Sequence, residues 1–404
     1  MNQAQNQQTL TDPVTIASTM RPLLAKHATQ CEAEAKIHPE VFAELKRTGL
    51  FKMMFPKRAG GVGLPLISHT KTVAEMAKAC PGTAWAFGLL SSVSASVASM
   101  PEQISASVFS QGDELLCSVA AQTGTATRTE KGYIVSGKWG YASGCLHADY
   151  ALNGIRVVDT DGNTEDVGFA IIPLRKTTGV TIKNTWQVAG VCGSGSNTVI
   201  VDNLELPQSR VIQFGKLAAD QSPAANREAM EPRDHWPMEP LFPLVVLAPM
   251  LGAAEGIREL IQTTMDKRPV VAWNYQSQAD SQVFVQQFGE ASMEIDSAWM
   301  HVKRAAAMLD DIAPARLLTG FEKARIQADC GYAMKQLRSA GDRLMNISGP
   351  GGFANVNPLQ RLWRDLNVGS RHNYLNSQLS LELYGRALLQ QPSNMTQLPD
   401  ISYR

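Results

Sequence analysis

Apolar residues recur at three- and four-residue steps through the first part of the chain, the spacing of one buried helix face. "TIASTMRPLLAKHATQCEAEA" and "HPEVFAELKRTGLF" both carry it, and Gly49 supplies a helix stop. "FPKRAGGVGLP" reads as a loop from its Gly and Pro content. Helical pattern resumes in "ACPGTAWAFGLLSSVSASVASMP", Ala79 to Pro101, and in "PEQISASVF". The period changes near Gly112. "LLCSVA", "TATRTEKGYIVSGKWGYAS", "DYALNGIRVV", "VGFAIIPL", "VTIKNTWQVAG" and "NTVIVDNLELP" are short runs rich in Val, Ile, Thr, Tyr and Trp. Turn residues separate them, which predicts an antiparallel β domain, sandwich or barrel. From about Leu241 the helical period returns over longer stretches. Phe288, Ile295, Trp299, Val302 and Leu309 make one stripe. Ile326, Cys330, Ala333, Leu337, Ala340 and Leu344 make another, stopped by "SGPGGF". The polar, Pro-rich "GKLAADQSPAANREAMEPRDHWPMEP" between them reads as a linker or loop. The expected fold class is α+β in three domains: all-helical at 1–112, β sandwich or barrel at 113–225, and a long-helix bundle at 226–404.

Composition narrows the partners. Lys+Arg and Asp+Glu are both 37 in 404 residues, and no basic stripe marks a nucleic-acid surface. Zero net charge suits an oligomer that buries much of its surface. "MNQAQNQQTLTDP" lacks the basic and apolar regions of a signal peptide. The uncharged run 79–101 has membrane-spanning length, but five serines and two glycines interrupt it, so a buried bundle helix is expected. No membrane partner follows. The six cysteines (31, 80, 117, 145, 192 and 330) form no CxxC pair. That spacing predicts neither a zinc site nor a disulfide framework and fits the reducing cytoplasm.

Several catalytic signatures are absent: no GxGxxG after a strand, no GxxxxGK[ST], no HExxH, no GxSxG. Without a dinucleotide fingerprint, usual NAD(P)H binding is not expected. Three phrases carry a resemblance instead. "SGKWGYASGCLHADYAL", "TWQVAGVCGSGSNTVIVDNLELP" and "GPGGFANVNPLQRLWRD" resemble, in order, phrases of the acyl-CoA dehydrogenase fold. That fold implies an N-terminal helical domain, a middle antiparallel β domain and a C-terminal helical bundle.

The branch of that superfamily is read near the C-terminus, in "LQRLWRDLNVGSRHNYLNSQLSLELYG", which is otherwise patterned as a buried helix. Counted from Arg364–Asp365, the place of the dehydrogenases' glutamate base falls on Asn373. The alternative base position, at the head of the first C-terminal helix, maps near Phe242. Neither can remove a proton. "SRH", ending in His372, resembles instead the oxygenase components of two-component flavin-dependent monooxygenases of the aromatic hydroxylase type. The resemblance implies reduced flavin (FMNH2 or FADH2) delivered by a separate NAD(P)H:flavin reductase, O2 as co-substrate, and a flavin C4a-hydroperoxide that oxygenates a small aromatic. It also implies a homotetramer. By the same resemblance His372 is catalytic and contacts substrate, and Ser143 is the hydroxyl bonded to flavin N5. The first of that family's usual serine pair is here Ala142. Trp139 packs beside the isoalloxazine or is a core tryptophan. Arg268 and the backbone of Gly351, Gly352 and Phe353 hold the cofactor. Trp85, Leu89 and Val93 line the substrate pocket, with Val93 where phenol-oxidising members carry a histidine. This apolar lining favours an indole-type substrate over a simple phenol. An acyl-CoA dehydrogenase, an N- or S-oxygenating relative and a decayed flavin-fold scaffold are the alternatives.

Overall fold

The structure is a computed structural model that describes residues 12–215 and 230–402. The expected linker and the boundary near 225 fall largely outside the described residues. The first part folds as α1 (Pro13–Glu34), α2 (Pro39–Arg47), α3 (Leu66–Ala77) and α4 (Pro81–Ala98). Asp12 caps α1 by accepting the Thr15 N–H, with Pro13 at the first helical position. Gly49 stands in the left-handed region just past α2, as a stop residue should. A one-turn helix, Glu102–Ser105, follows α4.

The middle part is one seven-stranded sheet: β1 (Leu116–Thr129), β2 (Gly132–Ala142), β3 (Tyr150–Val158), β4 (Thr164–Pro173), β5 (Val180–Lys183), β6 (Asn197–Pro207) and β7 (Val211–Gln213), in the order β5-β6-β2-β1-β3-β4-β7. One pair departs from the antiparallel reading: β1 and β3 run parallel. The reason lies in the connection. β2 folds back along one edge of β1, so the chain returns to the end where β1 began. The turn at 143–149 then starts β3 in the same direction on the other edge. The runs read separately as "LLCSVA" and "TATRT" form one strand, with a register shift between Val119 and Gly124.

The C-terminal part contains α5 (Met238–Gln262), α6 (Gln282–Ala307), α7 (Gly320–Ser348), α8 (Pro358–Gly369) and α9 (Ser377–Leu388). Thr319 and Glu322 form a capping box that starts α7. Its apolar stripe (Ile326, Cys330, Ala333, Leu337, Ala340 and Leu344) is fully buried. α5 is long and apolar enough to cross a membrane, yet most of it is buried inside the protein. It approaches α3 so closely that a Cβ on Gly252 would lie 1.9 Å from the Ala74 carbonyl oxygen. α4 is likewise buried on nearly every face. All six cysteines are free and buried.

α8 is fastened to the sheet's loops by the Arg–Asp pair at its middle. Asp365 accepts the Val191 N–H at 2.5 Å, and Arg364 pairs with Glu32 at 2.6 Å. Burial pushes the Asp365 carboxyl up to about 7. The phrase "LWRD" therefore serves docking here. The following residues do not continue as helix: α8 ends at Gly369, and a turn at Arg371–Asn376 precedes α9.

Candidate active site

α4 presents Trp85, Leu89, Ser92, Val93 and Ser96 at steps of three and four, so they form one stripe. Val93, Ser92 and Ser96 line a narrow cleft. Its other walls are Ser118 and Leu152 on the sheet, Phe169 on β4, and Leu241, Phe242 and Val245 on α5. No ionisable side chain lines it, and its serine hydroxyls point into local carbonyls: Ser92 to Leu89 and Ser118 to Leu152. An apolar, flat molecule suits such walls.

Phe242, a wall of the cleft, meets the turn after α8. His372 opens that turn, its Nδ1 accepting the Tyr374 N–H at 3.3 Å. The ring stands among aromatics, with centroids 5.9 Å from Trp85, 5.8 Å from Phe242 and 5.8 Å from Tyr374. Loss of water around it drives its pKa down to about 4, so the imidazole is neutral at pH 7. Since Nδ1 accepts, the proton of the neutral ring lies on Nε2, which becomes a donor. Asn373 beside it is exposed.

Ser143 sits at the turn leaving β2, where Gly144 takes a positive φ of 78°. Its Oγ accepts the Trp85 indole N–H at 3.2 Å and lies 2.7 Å from Ser196 Oγ, which is 2.8 Å from Ser194 Oγ. Ser143, Trp85 and His372 are thus contiguous. Just outside, Tyr141 is 77 % exposed in the left-handed region (φ 63°) and meets the edge of Trp186 at 5.9 Å. A bulky residue held there at an energetic cost commonly marks function.

The structure corrects the position of Trp139. It has no exposed surface. Its indole fills space left by Gly124 and Gly137, and its N–H donates to the Gly154 carbonyl at 2.8 Å. A side chain with nothing exposed has no face to offer a cofactor, so the core alternative holds. Leu89 is buried one turn from Val93.

Arg268 and the turn of Gly351, Gly352 and Phe353 do come together: Arg268 donates to the Ser348 carbonyl at 3.3 Å, and a Cβ on Gly351 would lie 3.7 Å from its guanidinium. They stand far from His372, however. Gln327 of α7 bonds the Tyr374 carbonyl while Ser348 ends the same helix, and those 21 residues span about 30 Å. Sequence reasoning missed the walls supplied by Phe242 and Phe169, the Tyr374 ring beside His372, and the hydroxyls of Ser194 and Ser196. Phe242 was weighed only as a failed base, and Tyr374 was hidden inside an expected helix.

Residues 7–101 match the acyl-CoA dehydrogenase N-terminal domain family, and residues 244–377 match the acyl-CoA dehydrogenase C-terminal domain family. Oxygenase subunit HsaA of a flavin-dependent monooxygenase from Rhodococcus jostii is 28% identical over 371 residues, covering 90% of this chain and 94% of that protein. The oxygenase component of an FADH2-dependent resorcinol hydroxylase from Rhizobium sp. is 27% identical, covering 91% of each chain. XiaF from Streptomyces sp., solved with FADH2 and glycerol, superimposes with a TM-score of 0.89 at 29% identity, over 97% of this chain and 98% of that one. The chain belongs to the flavin-dependent monooxygenases of the acyl-CoA dehydrogenase family. In this monooxygenase the dehydrogenase base position is an exposed asparagine. Glu239, whose charge acts on Tyr374, is turned toward Lys323 at 3.7 Å.

Proposed function

We propose that the monooxygenase is the oxygenase component of a two-component system. A separate NAD(P)H:flavin reductase supplies FMNH2 or FADH2, and one atom of O2 is transferred to a small aromatic, indole-type or phenolic. The observation that carries this reading is His372 packed between Trp85 and Phe242, the latter a wall of the apolar cleft, with no carboxylate at Asn373 or Phe242 where the dehydrogenases carry their base.

The crease beside the cleft fits a flavin ring: Ser143 offers a hydroxyl, and Tyr141 and Trp186 offer aromatic surface. When bound, reduced flavin supplies the electrons that activate O2. The chain's own groups do the rest. Ser143 holds the ring's polar edge, the buried walls exclude water, and His372 donates from Nε2 toward the reacting oxygen or a substrate heteroatom. With Nδ1 occupied and its basicity depressed, His372 is better suited to donate than to accept a proton.

The phosphate end of the cofactor calls for a cationic partner. Arg268, with the Gly351–Phe353 backbone, supplies one to the site of a second copy, which makes the working unit a homotetramer or other multimer. Met293, Met300, Trp273 and Leu389 are each at least two-thirds exposed, the apolar surface such an assembly would cover.

The test combines the protein with FMNH2 or FADH2 under 18O2 and scores a panel of indoles and phenols by product mass. One 18O atom per product molecule is expected. No labelled product with either flavin, together with anaerobic bleaching of oxidised flavin by an acyl-CoA, would overturn the reading in favour of a dehydrogenase.

A further inference from the structure

A cation stands at another wall of the cleft. Ser96 lies 11 residues along α4 from Trp85, about 16 Å of helix. Its Oγ accepts from Arg233 Nη2 at 2.7 Å. Arg233 belongs to the short turn Pro232–His235 just before α5 and is only 5 % exposed. Buried guanidinium groups are normally matched by a carboxylate. Arg233 forms no ion pair among the described residues: its guanidinium stands 4.7 Å over the Trp236 ring, and its Nε is buried without a hydrogen-bond partner.

The acids nearby are engaged elsewhere. Asp234 receives both terminal nitrogens of Arg58, at 2.6 and 2.7 Å. Glu231 accepts the N–H groups of Lys57 and Arg58. The Trp236 indole N–H is a second buried donor without a partner on the same turn. Among the described residues, two donors on this turn therefore have no partner, and the charged one reaches the cleft lining through Ser96, in a lining that carries no charge of its own.

We propose that this end of the cleft is an anion subsite, in which Arg233 receives a carboxylate borne on a side arm of the aromatic substrate. The proposal rests on the oxygenase reading and adds the substrate class: an acidic aromatic, its ring toward His372 and its acid toward Ser96. The side-on edge of a guanidinium, Nε with Nη2, takes two carboxylate oxygens at once, which fixes the ring's distance from the reacting end as well as its affinity. Burial draws the Arg233 pKa down to about 10, so it remains a cation at neutral pH and an anion on it is compensated.

The experiment uses the full-length protein held anaerobically with FADH2 or FMNH2. Indole-3-acetate, indole-3-propanoate, indole-3-butanoate and 4-hydroxyphenylacetate are titrated calorimetrically, each against its own neutral amide. For at least one arm length the acid is expected to bind about 10- to 100-fold more tightly than its amide. Arg233→Met should bring that ratio to near one, and Arg233→Lys, which keeps charge without the fork, should leave it intermediate. Acids that bind no better than their amides in the wild type, or an Arg233→Met variant that keeps the preference, would overturn the subsite. Admitting oxygen separates this from the broader reading. Acid preference without oxygen transfer sinks the oxygenase function and leaves the subsite standing. Oxygen transfer to neutral rings alone does the reverse.

Discussion

The two ends of α7 present opposite kinds of surface. At the Gln327 end, His372, Trp85, Phe242 and Ser143 form a closed constellation in which each group touches the next. At the Ser348 end, Arg268 lies against a glycine turn beside exposed apolar side chains, with Val356 95 % and Phe353 47 % exposed. Under the proposed function the first supplies the reacting groups. The second supplies a cation, Arg268, beside a turn whose Gly352 N–H is already bonded to the Gly349 carbonyl. The proposed function joins the two in one site shared between copies, each end completing the other.

The sharpest way to break the comparison is at the closed end. His372→Ala removes the only imidazole facing Phe242 and Trp85 among the described residues. Product formation is expected to fall roughly 10²- to 10⁴-fold while oxidation of reduced flavin by O2 continues. Product formed per flavin oxidised is the measurement. A variant that hydroxylates at the wild-type rate would remove His372 from the mechanism.

The open end should respond in a different coordinate. Arg268→Ala is expected to weaken reduced-flavin binding about 10- to 100-fold, the value of hydrogen bonds to a charged group, without altering substrate affinity. Co-expressed with His372→Ala chains, it should recover activity, because about a quarter of randomly assembled shared sites pair an intact His372 with an intact Arg268. No recovery in mixed oligomers would mean that each chain completes its own site.

Much of this was legible in the residues, and the failures have physical causes. Helical stripes on α6 and α7 and the strand runs were readable because burial imposes period on the sequence, as Ile326 to Leu344 show. Strand order is not periodic, so the parallel β1–β3 pair could not be read from "LLCSVA" or "DYALN". Ser143 and His372 are named by motif and Trp85 by its place in the uncharged helix, and the structure brings the three together. Trp139 came from the same motif and was misplaced, since a phrase gives position along the strand but not which face meets the core. Phe242 and Tyr374 carry no motif and became visible only once the α8–α9 turn was seen. Arg233 was invisible for a similar reason: its distinction is a missing partner, which no spacing encodes.

The smallest effect tests the electrostatics of the closed end. His372 has a pKa of about 4 in the folded protein against about 6.5 in an unfolded chain. The fold therefore prefers the neutral ring. Its contribution to stability is full above pH 6.5 and is lost as pH falls through 6.5 toward 4. His69 and His147, pushed down to about 3 and about 4 by burial, act in the same direction. Asp365 and Asp310, raised to about 7 and about 6, act oppositely, favouring the fold at low pH and losing that contribution as pH rises. A bulk melting curve mixes these terms, so the check must be site-resolved. In imidazole NMR spectra the resonances lost in His372→Gln should show a midpoint near 4, and turnover should show no inflection from this group between about pH 5 and 8. A midpoint near 6.5 would mean that the ring is hydrated. The closed end would then be as open to solvent as the other, and the contrast between them would fail.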